Sequence, residues 1–123
     1  MNYLAHLALA PHTDAARVGN LLGDFVKGTE QSLREMMPDD LVDGIISHRA
    51  IDKYTDSHPS FLACRKLLAP ERRRYAGVVI DLIFDHFLSI HWDDFYDQPI
   101  DDFIEEMYTM IDLKKEWQFG TLK

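Results

Sequence analysis

The chain has 123 residues, of which 46% are hydrophobic and 28% charged, so residues 1–123 are expected to form one soluble globular domain rather than a disordered or collagen-like chain. Its net charge of -8 makes nucleic acid an unfavourable partner, because the phosphate backbone would be repelled. Cys64 is the only cysteine, which excludes an intramolecular disulfide and favours a reducing, cytoplasmic location.

Helical periodicity dominates the sequence, and the alternation typical of strands is nearly absent. We therefore predict an all-α fold, a single bundle of helices joined by short connections. In chain order, the predicted helices cover residues 2–10, 15–27, 38–54, a segment through Phe61 and Leu68, 70–92 and 100–111. Proline and glycine interrupt helices or begin them. Such residues flank these segments at Pro11, Gly28, Pro38, Pro59, Pro70 and Pro99.

The first predicted helix is apolar, but no basic residue precedes its short apolar run. We interpret it as a core helix and not as a signal peptide. No apolar stretch approaches the roughly 20 residues that a membrane-spanning helix needs. No membrane partner is therefore expected, whereas a homo-oligomer stays open.

The predicted helix over residues 70–92 places ionisable side chains among residues suited to a core. Asp81 and Asp85 are four positions apart and share one helix face, and His86 lies beside that face, next to Phe87. Charged groups are costly to bury unless they are paired or bound to a cation. This segment therefore indicates a metal site inside a helical bundle.

A second cluster contains His48, Asp52 and Asp56, which recur every four positions. Carboxylate and imidazole ligands, with no second cysteine, favour Mn, Mg, Fe or Zn over soft-metal sites. Because one helix brings two such ligands to a metal, facing helices must contribute together. The candidate ligands are His6, Asp24, His48, Asp52, Asp81, Asp85, His86 and His91.

Each candidate also has an interpretation without a metal. Asp52 could pair with a neighbour on the helix surface, and His91 could interact with a helix C-terminus. His6 lies among leucines, where a lone histidine is more often a satisfied core residue than a ligand. Asp24 is harder to explain in this way, because it shares a helix face with Asn20 in a segment whose glycines allow other elements to approach closely.

Four ordered segments resemble the bacterial acyl carrier protein phosphodiesterases. They are MNYLAHL at residues 1–7, GNLLGDFVKG at 19–28, HRAIDKYTD at 48–56 and DHFLSIHW at 85–92. The resemblance implies an HD-domain-like helical fold and a manganese-dependent reaction that removes 4'-phosphopantetheine from the serine of holo acyl carrier protein. Members of the family continue with further helices after the equivalent of Asp112, so the chain is expected to be a member that is truncated at its C-terminus, divergent or fragmentary.

The resemblance also implies roles for individual residues. The metal centre would hold Mn²⁺, with Mg²⁺ or Fe²⁺ as alternatives. Its residues are Asp24, His48, Asp52, Asp81, Asp85 and His86. Catalytic roles are expected for His48, Asp85 and His91. Whichever of His48 and His91 does not bind the metal would protonate the leaving serine.

Basic residues supply the expected substrate contacts. Lys27 and Arg49 adjoin matched segments and are expected to hold phosphate. A bunched basic surface would dock the acidic carrier protein through Arg65, Lys66, Arg72, Arg73 and Arg74. The alternative for this bunch is a solvated helix face that Glu71 neutralises.

Two other functions stay open. The chain could be a metal-dependent phosphohydrolase acting on a nucleotide or another small phosphoester. It could also be a non-catalytic helical binding protein in which the acids are structural or surface groups. Bound metal, or a thermal shift on adding it, would distinguish the second alternative from an enzyme.

Overall fold

The computed structural model describes residues 3–68 and 70–113, with the backbone alone at Arg72 and Arg73. The helices are α1 (Tyr3–Leu9), α2 (Asp14–Leu22), α3 (Glu30–Met36), α4 (Asp39–Ser57), α5 (Pro59–Lys66), a 3-10 helix (Pro70–Tyr75), α6 (Ala76–Ile90), α7 (Trp92–Phe95) and α8 (Ile100–Leu113). All regular secondary structure in these residues is helical, so the predicted all-α fold is confirmed. The single-domain interpretation of the whole chain stays a prediction, and the unpatterned tail at 114–123 lies outside the described residues.

The helix predicted over residues 15–27 is wrong at its C-terminal end, because α2 stops at Leu22. The chain turns there, and the amides of Phe25 and Val26 both donate to the carbonyl of Leu22. This turn leads the chain away from the axis of α2. Asp24, which lies in this turn, contacts His48 of α4.

Helix α3 was not predicted. Gly28 precedes it with a φ of 125°, a left-handed conformation that glycine adopts without strain. The Thr29 side chain then caps the helix by accepting a hydrogen bond from the amide of Ser32. Leu33 is the buried residue of this seven-residue helix. A single buried position makes no periodic apolar stripe, so the sequence pattern did not indicate a helix here.

The single helix predicted over residues 70–92 is also wrong at both ends. Its first part is the 3-10 helix Pro70–Tyr75, a tighter winding that is frequent at helix starts. At the other end, α6 stops at Ile90. Trp92 is the first residue of α7, and it lies in the core, where it is 2% exposed. There the indole nitrogen donates to the carbonyl of Gln98 at 2.7 Å, and the ring stacks on Phe103 at 4.9 Å.

The main core lies between α2 and α4, with α1, α3, α7 and α8 packed around it. Its buried side chains are Leu7, Ala8, Val18, Leu22, Leu33, Leu41, Val42, Ile45, Trp92, Phe103, Met107 and Met110. Gly19 of α2 and Gly44 of α4 meet where the two helices cross. A Cβ on Gly19 would lie 2.5 Å from the carbonyl oxygen of Leu41, and one on Gly44 would lie 2.6 Å from that of Ala16. The two backbones therefore touch at this crossing.

Helix α6 packs much less completely. Its buried residues are Ala76 and Ile80, which form a small second cluster with Phe61 of α5. Large apolar side chains of α6 remain exposed, among them Val78 at 64% and Leu82 at 56%. Among the described helices, none combines the length and the hydropathy that a membrane span requires.

Candidate metal site

Two buried histidines stack against each other at the centre of the candidate site. His6 comes from α1 and His48 from α4, and they are 1% and 3% exposed. Their ring centroids are 3.8 Å apart, and the ring planes differ by 13°. The corresponding nitrogens of both rings face the same sides, because both Nδ1 atoms meet Asn20 and both Nε2 atoms meet Asp52.

Both Nδ1 atoms meet oxygens of a single residue, Asn20. The Nδ1 of His6 lies 3.3 Å from the Asn20 Oδ1, and the Nδ1 of His48 lies 2.7 Å from the Asn20 backbone oxygen. The Asn20 Nδ2 donates to the carbonyl of Ala16 at 3.0 Å, which identifies Oδ1 as the acceptor. Since carbonyl oxygens only accept, each Nδ1 carries the hydrogen, and each neutral ring has its lone pair on Nε2.

Both Nε2 atoms face carboxylates. Asp52 Oδ1 lies 3.0 Å from the Nε2 of His6, and Asp52 Oδ2 lies 3.1 Å from the Nε2 of His48. Asp24 Oδ1 also lies 3.1 Å from the Nε2 of His48. Ligand atoms of His6, His48 and Asp52 come within 4.8 Å of one another, which makes this trio a possible metal site.

Burial and nearby charge shift the pKa values of the groups in this cluster. Burial, together with the charge of His48, lowers the pKa of His6 below its ordinary value. Burial opposes ionisation of Asp52 as well, but hydrogen bonding and nearby positive charge lower its pKa overall, with the imidazoles adding to this only when they are protonated. A neutral Nε2 and an ionised carboxylate both present lone pairs, which repel each other at close range. A divalent cation bound between them would remove this repulsion. The residues present therefore fit a metal ion with nitrogen and oxygen ligands.

Gly23 makes room for the imidazole of His48. A Cβ at this position would overlap the Cγ and Cδ2 atoms of the ring. The next residue, Asp24, borders the open side of the site, where its side chain is 53% exposed while that of His48 is 4% exposed. The short turn after α2 therefore contacts the cluster twice, with Gly23 against the buried ring of His48 and with Asp24 at the exposed side.

The predicted ligands of α6, Asp81 and Asp85, lie outside the trio. Both oxygens of Asp85 accept hydrogen bonds from α1, from the amide of Leu4 at 3.0 Å and from that of Ala5 at 3.1 Å. Asp85 therefore anchors the first turn of the helix that carries His6. Burial raises the pKa of Asp81, and the charges of Asp56 and Asp52 act in the same direction.

The structure does not bring the other two predicted histidines into the trio. His86 is exposed, and its ring meets that of Phe87 edge-on at 5.8 Å. The Nδ1 of His91 lies 3.5 Å from a carboxylate oxygen of Asp94. His91 borders a separate cavity of about 370 Å³ with largely apolar walls that include Phe95. The roles assigned to both histidines stay predictions.

The basic residues predicted to bind substrate have varied surroundings. Arg49 donates to the carbonyls of Gly28 at 2.8 Å and Val26 at 3.4 Å, so it ties α4 to the segment before α3. Lys27 is exposed beside that segment. Arg74 is exposed, with its guanidinium 5.6 Å from the ring centroid of Tyr75. The side chains of Arg72 and Arg73 lie outside the described part of the chain.

His6 was among the candidate ligands, but its leucine neighbours favoured a core role and it was not assigned to the metal centre, whereas the structure places it in the trio. Its partners Asn20 and Asp52 are 14 and 46 positions away, so spacing within one helix could not reveal the contacts. The signal that was present is the matched segment at residues 1–7, which includes His6. Asn20 was noted for sharing a helix face with Asp24, without a role at the histidines.

The sequence model of the family described as acyl carrier protein phosphodiesterase matches residues 1–121. The chain is similar to a protein of that name from Enterobacter sp. (strain 638). The two are 40% identical over a region that covers 90% of this chain and 56% of that protein. Proteins of that name from Photorhabdus laumondii (44%, covering 76% and 46%) and Klebsiella pneumoniae (42%, covering 85% and 53%) are similar too. The chain spans about half the length of these curated relatives. No solved structure matches it, and the HD-domain-like relation stays a prediction.

Proposed function

We propose a function from the premise that the chain belongs to the acyl carrier protein phosphodiesterase family. In this proposal, the chain contributes the metal centre of a phosphodiesterase. The enzyme releases 4'-phosphopantetheine from the serine of holo acyl carrier protein. The observation that carries this proposal is the convergence of His6 from α1 with His48 and Asp52 from α4. The proposal also places the protein in the cytoplasm, where reducing conditions suit its single cysteine.

A divalent cation bound by the two Nε2 atoms and the Asp52 carboxylate would supply Lewis acidity to a phosphodiester. Mn²⁺ is the ion that we propose, with Fe²⁺ or Mg²⁺ as alternatives. Two imidazole nitrogens favour Mn²⁺ or Fe²⁺ over Mg²⁺, which prefers oxygen ligands.

The remaining polar groups suggest how the chain would treat substrate. Asp24 lies at the open side of the cluster, so its exposed carboxylate can accept a hydrogen bond from an attacking water. The hydrogen of His48 lies on Nδ1, which donates to the Asn20 backbone oxygen, and the Nε2 lone pair is available for a metal, which favours a ligand role for His48 over the role of proton donor. Lys27 and Arg49 are proposed to hold the phosphate, because both adjoin the segment that follows Asp24.

The basic residues before α6 are proposed to dock the carrier protein. Arg65, Lys66 and Arg74 are exposed cations on a chain whose net charge is -8. A local positive surface can steer an acidic partner in spite of the overall repulsion. Charge reversal at Arg72, Arg73 and Arg74 is expected to slow turnover of intact carrier and leave metal content unchanged. Equal turnover of the variant and the parent protein would remove this docking surface from the proposal.

The direct test is incubation of the purified chain with holo acyl carrier protein and Mn²⁺, with conversion to the apo form followed by mass spectrometry. Conversion that requires metal and is lost in His48→Ala is expected. His12→Ala is the matched control, because His12 is an exposed histidine outside the trio. Faster hydrolysis of a nucleotide or another small phosphoester would favour the first alternative function. Absence of both metal binding and hydrolysis would leave a non-catalytic binding protein.

A further inference from the structure

We propose that Asn20 is a positioning residue that holds both histidines of the trio in the tautomer required for metal binding. The inference rests on the proposed function for its biological meaning, but the geometry that supports it is independent of the substrate. Asn20 is 1% exposed and lies at the packed interface of α2 and α4. Its amide group is therefore held by its surroundings and not by solvent.

One residue serves two rings through two different oxygens. The side-chain Oδ1 accepts from the Nδ1 of His6, and the backbone oxygen accepts from the Nδ1 of His48. The Nδ2 of Asn20 donates to the carbonyl of Ala16. If the amide rotated so that Nδ2 faced His6, this hydrogen bond would be lost. The orientation of the acceptor is thus fixed by the helix that carries it.

A competing arrangement shows why this matters. Without an acceptor at Nδ1, neutral His6 could place its hydrogen on Nε2 and donate it to Asp52, whose oxygen is 3.0 Å away. That pair would be satisfied without a metal, and the Nε2 lone pair would be lost. Partners on the far nitrogen of a ligating histidine set its tautomer and typically change metal affinity by about 10- to 100-fold.

The two contacts of Asn20 differ in a way that supplies an internal control. Substitution of Asn20 removes the side-chain oxygen at His6 but keeps the backbone oxygen at His48. A variant should therefore change the tautomer of His6 and leave that of His48 intact. A residue that acts only through packing would have no reason to affect one ring and spare the other.

The experiment compares Asn20→Leu, which removes the side-chain oxygen and keeps the branched shape, with Asn20→Asp, which keeps an acceptor oxygen but loses the bond to Ala16. Ring ¹⁵N shifts in metal-free protein report the tautomer of each histidine, and titration with Mn²⁺ reports affinity. We expect Asn20→Leu to move the His6 hydrogen to Nε2 and to weaken Mn²⁺ binding by about 10- to 100-fold. Asn20→Asp should retain the parent tautomer and bind Mn²⁺ within several-fold of the parent.

Val18→Ala is the control for lost stability, since Val18 is buried on the same helix away from the rings. It should lower the unfolding midpoint without changing either tautomer. If Asn20→Leu does not fold, Asn20→Ala makes the same comparison. An unchanged His6 tautomer together with unchanged Mn²⁺ affinity in the folded variant would overturn the inference. Failure of the parent protein to convert holo carrier would instead overturn the proposed function, because the tautomer measurement needs no substrate.

Discussion

The α2–α4 crossing and the α6 face represent opposite kinds of helix packing in one small chain. At the crossing, Gly19 and Gly44 let two backbones touch, and Val18 is fully buried. On α6, Val78 and Leu82 remain more than half exposed. The histidine of α4 and its Asn20 partner belong to the tightly packed region.

The contrast shows what close packing does for a site. Small residues bring α2 and α4 near enough for Asn20 to reach the rings and for Gly23 to lie against His48. Helix α6 acts on the site indirectly, because Asp85 binds amides of α1, the helix that carries His6. We therefore expect substitutions at the crossing to act on folding and on the site together, whereas most of α6 should tolerate change.

The largest effect is expected for Gly19→Ala. The new methyl group would meet the backbone carbonyl of Leu41, which cannot move without separating the helices. Such overpacking should lower the free energy of unfolding by about 3 kcal/mol, as measured by chemical denaturation. Gly77→Ala in α6 is the matched control, because a Cβ there has no neighbour within 4 Å. It should stabilise the protein by about 0.5 kcal/mol, and similar losses in both variants would break the comparison.

Gly23→Ala should affect the site more than the fold. The methyl group would overlap the ring of His48, which the hydrogen bond from its Nδ1 to the Asn20 backbone oxygen holds in place. Displacement of the ring should weaken Mn²⁺ binding by about 100-fold, as judged by metal titration. Gly77→Ala again serves as the control and should keep the parent affinity. Parent-like affinity in Gly23→Ala would mean that His48 can move without loss of the site.

Asp85 distinguishes an anchor from a ligand. Asp85→Ala leaves the amides of Leu4 and Ala5 without their charged acceptor and should cost about 2 kcal/mol of unfolding free energy. Asp85→Asn retains one acceptor oxygen, so it should lose less stability and still bind Mn²⁺. Exposed Asp93 gives the control variant, Asp93→Ala, which should be neutral. Complete loss of Mn²⁺ from a well-folded Asp85→Asn protein would instead assign Asp85 as a ligand.

The smallest expected effect is a pH dependence of stability in metal-free protein. Burial and the charge of His48 lower the pKa of folded His6, so the unfolded chain takes up the proton first as the pH falls below about 6.5. Stability should therefore be complete above that pH and decrease below it, until folded His6 is also protonated. Denaturation curves at several pH values should show a shallower decrease for His6→Gln. The exposed-site variant His12→Gln should keep the parent slope, and identical slopes in all three proteins would contradict this explanation.

Local sequence patterns predicted much of the helical framework and one contact within the candidate site. His48 and Asp52 are four positions apart in the sequence and contact each other at 3.1 Å on α4. Asp24 also contacts His48, as its assignment to the same centre requires. Helix α3 and the early end of α2 were not predictable in this way, because a single buried leucine and a capped turn leave no periodic signal.

The sequence by itself determined the all-α class, the family and the pairing of acids with histidines along α4, because these depend on local spacing and on ordered matching segments. Tertiary structure alone decided that His6 joins the site, that Asn20 meets both rings and that the carboxylate of Asp85 binds backbone amides of α1. Helical periodicity shows which face of a helix is buried, but not which distant residue packs against it. That partner is chosen by how closely the helices approach, and here the contact of Gly19 with Gly44 sets the approach.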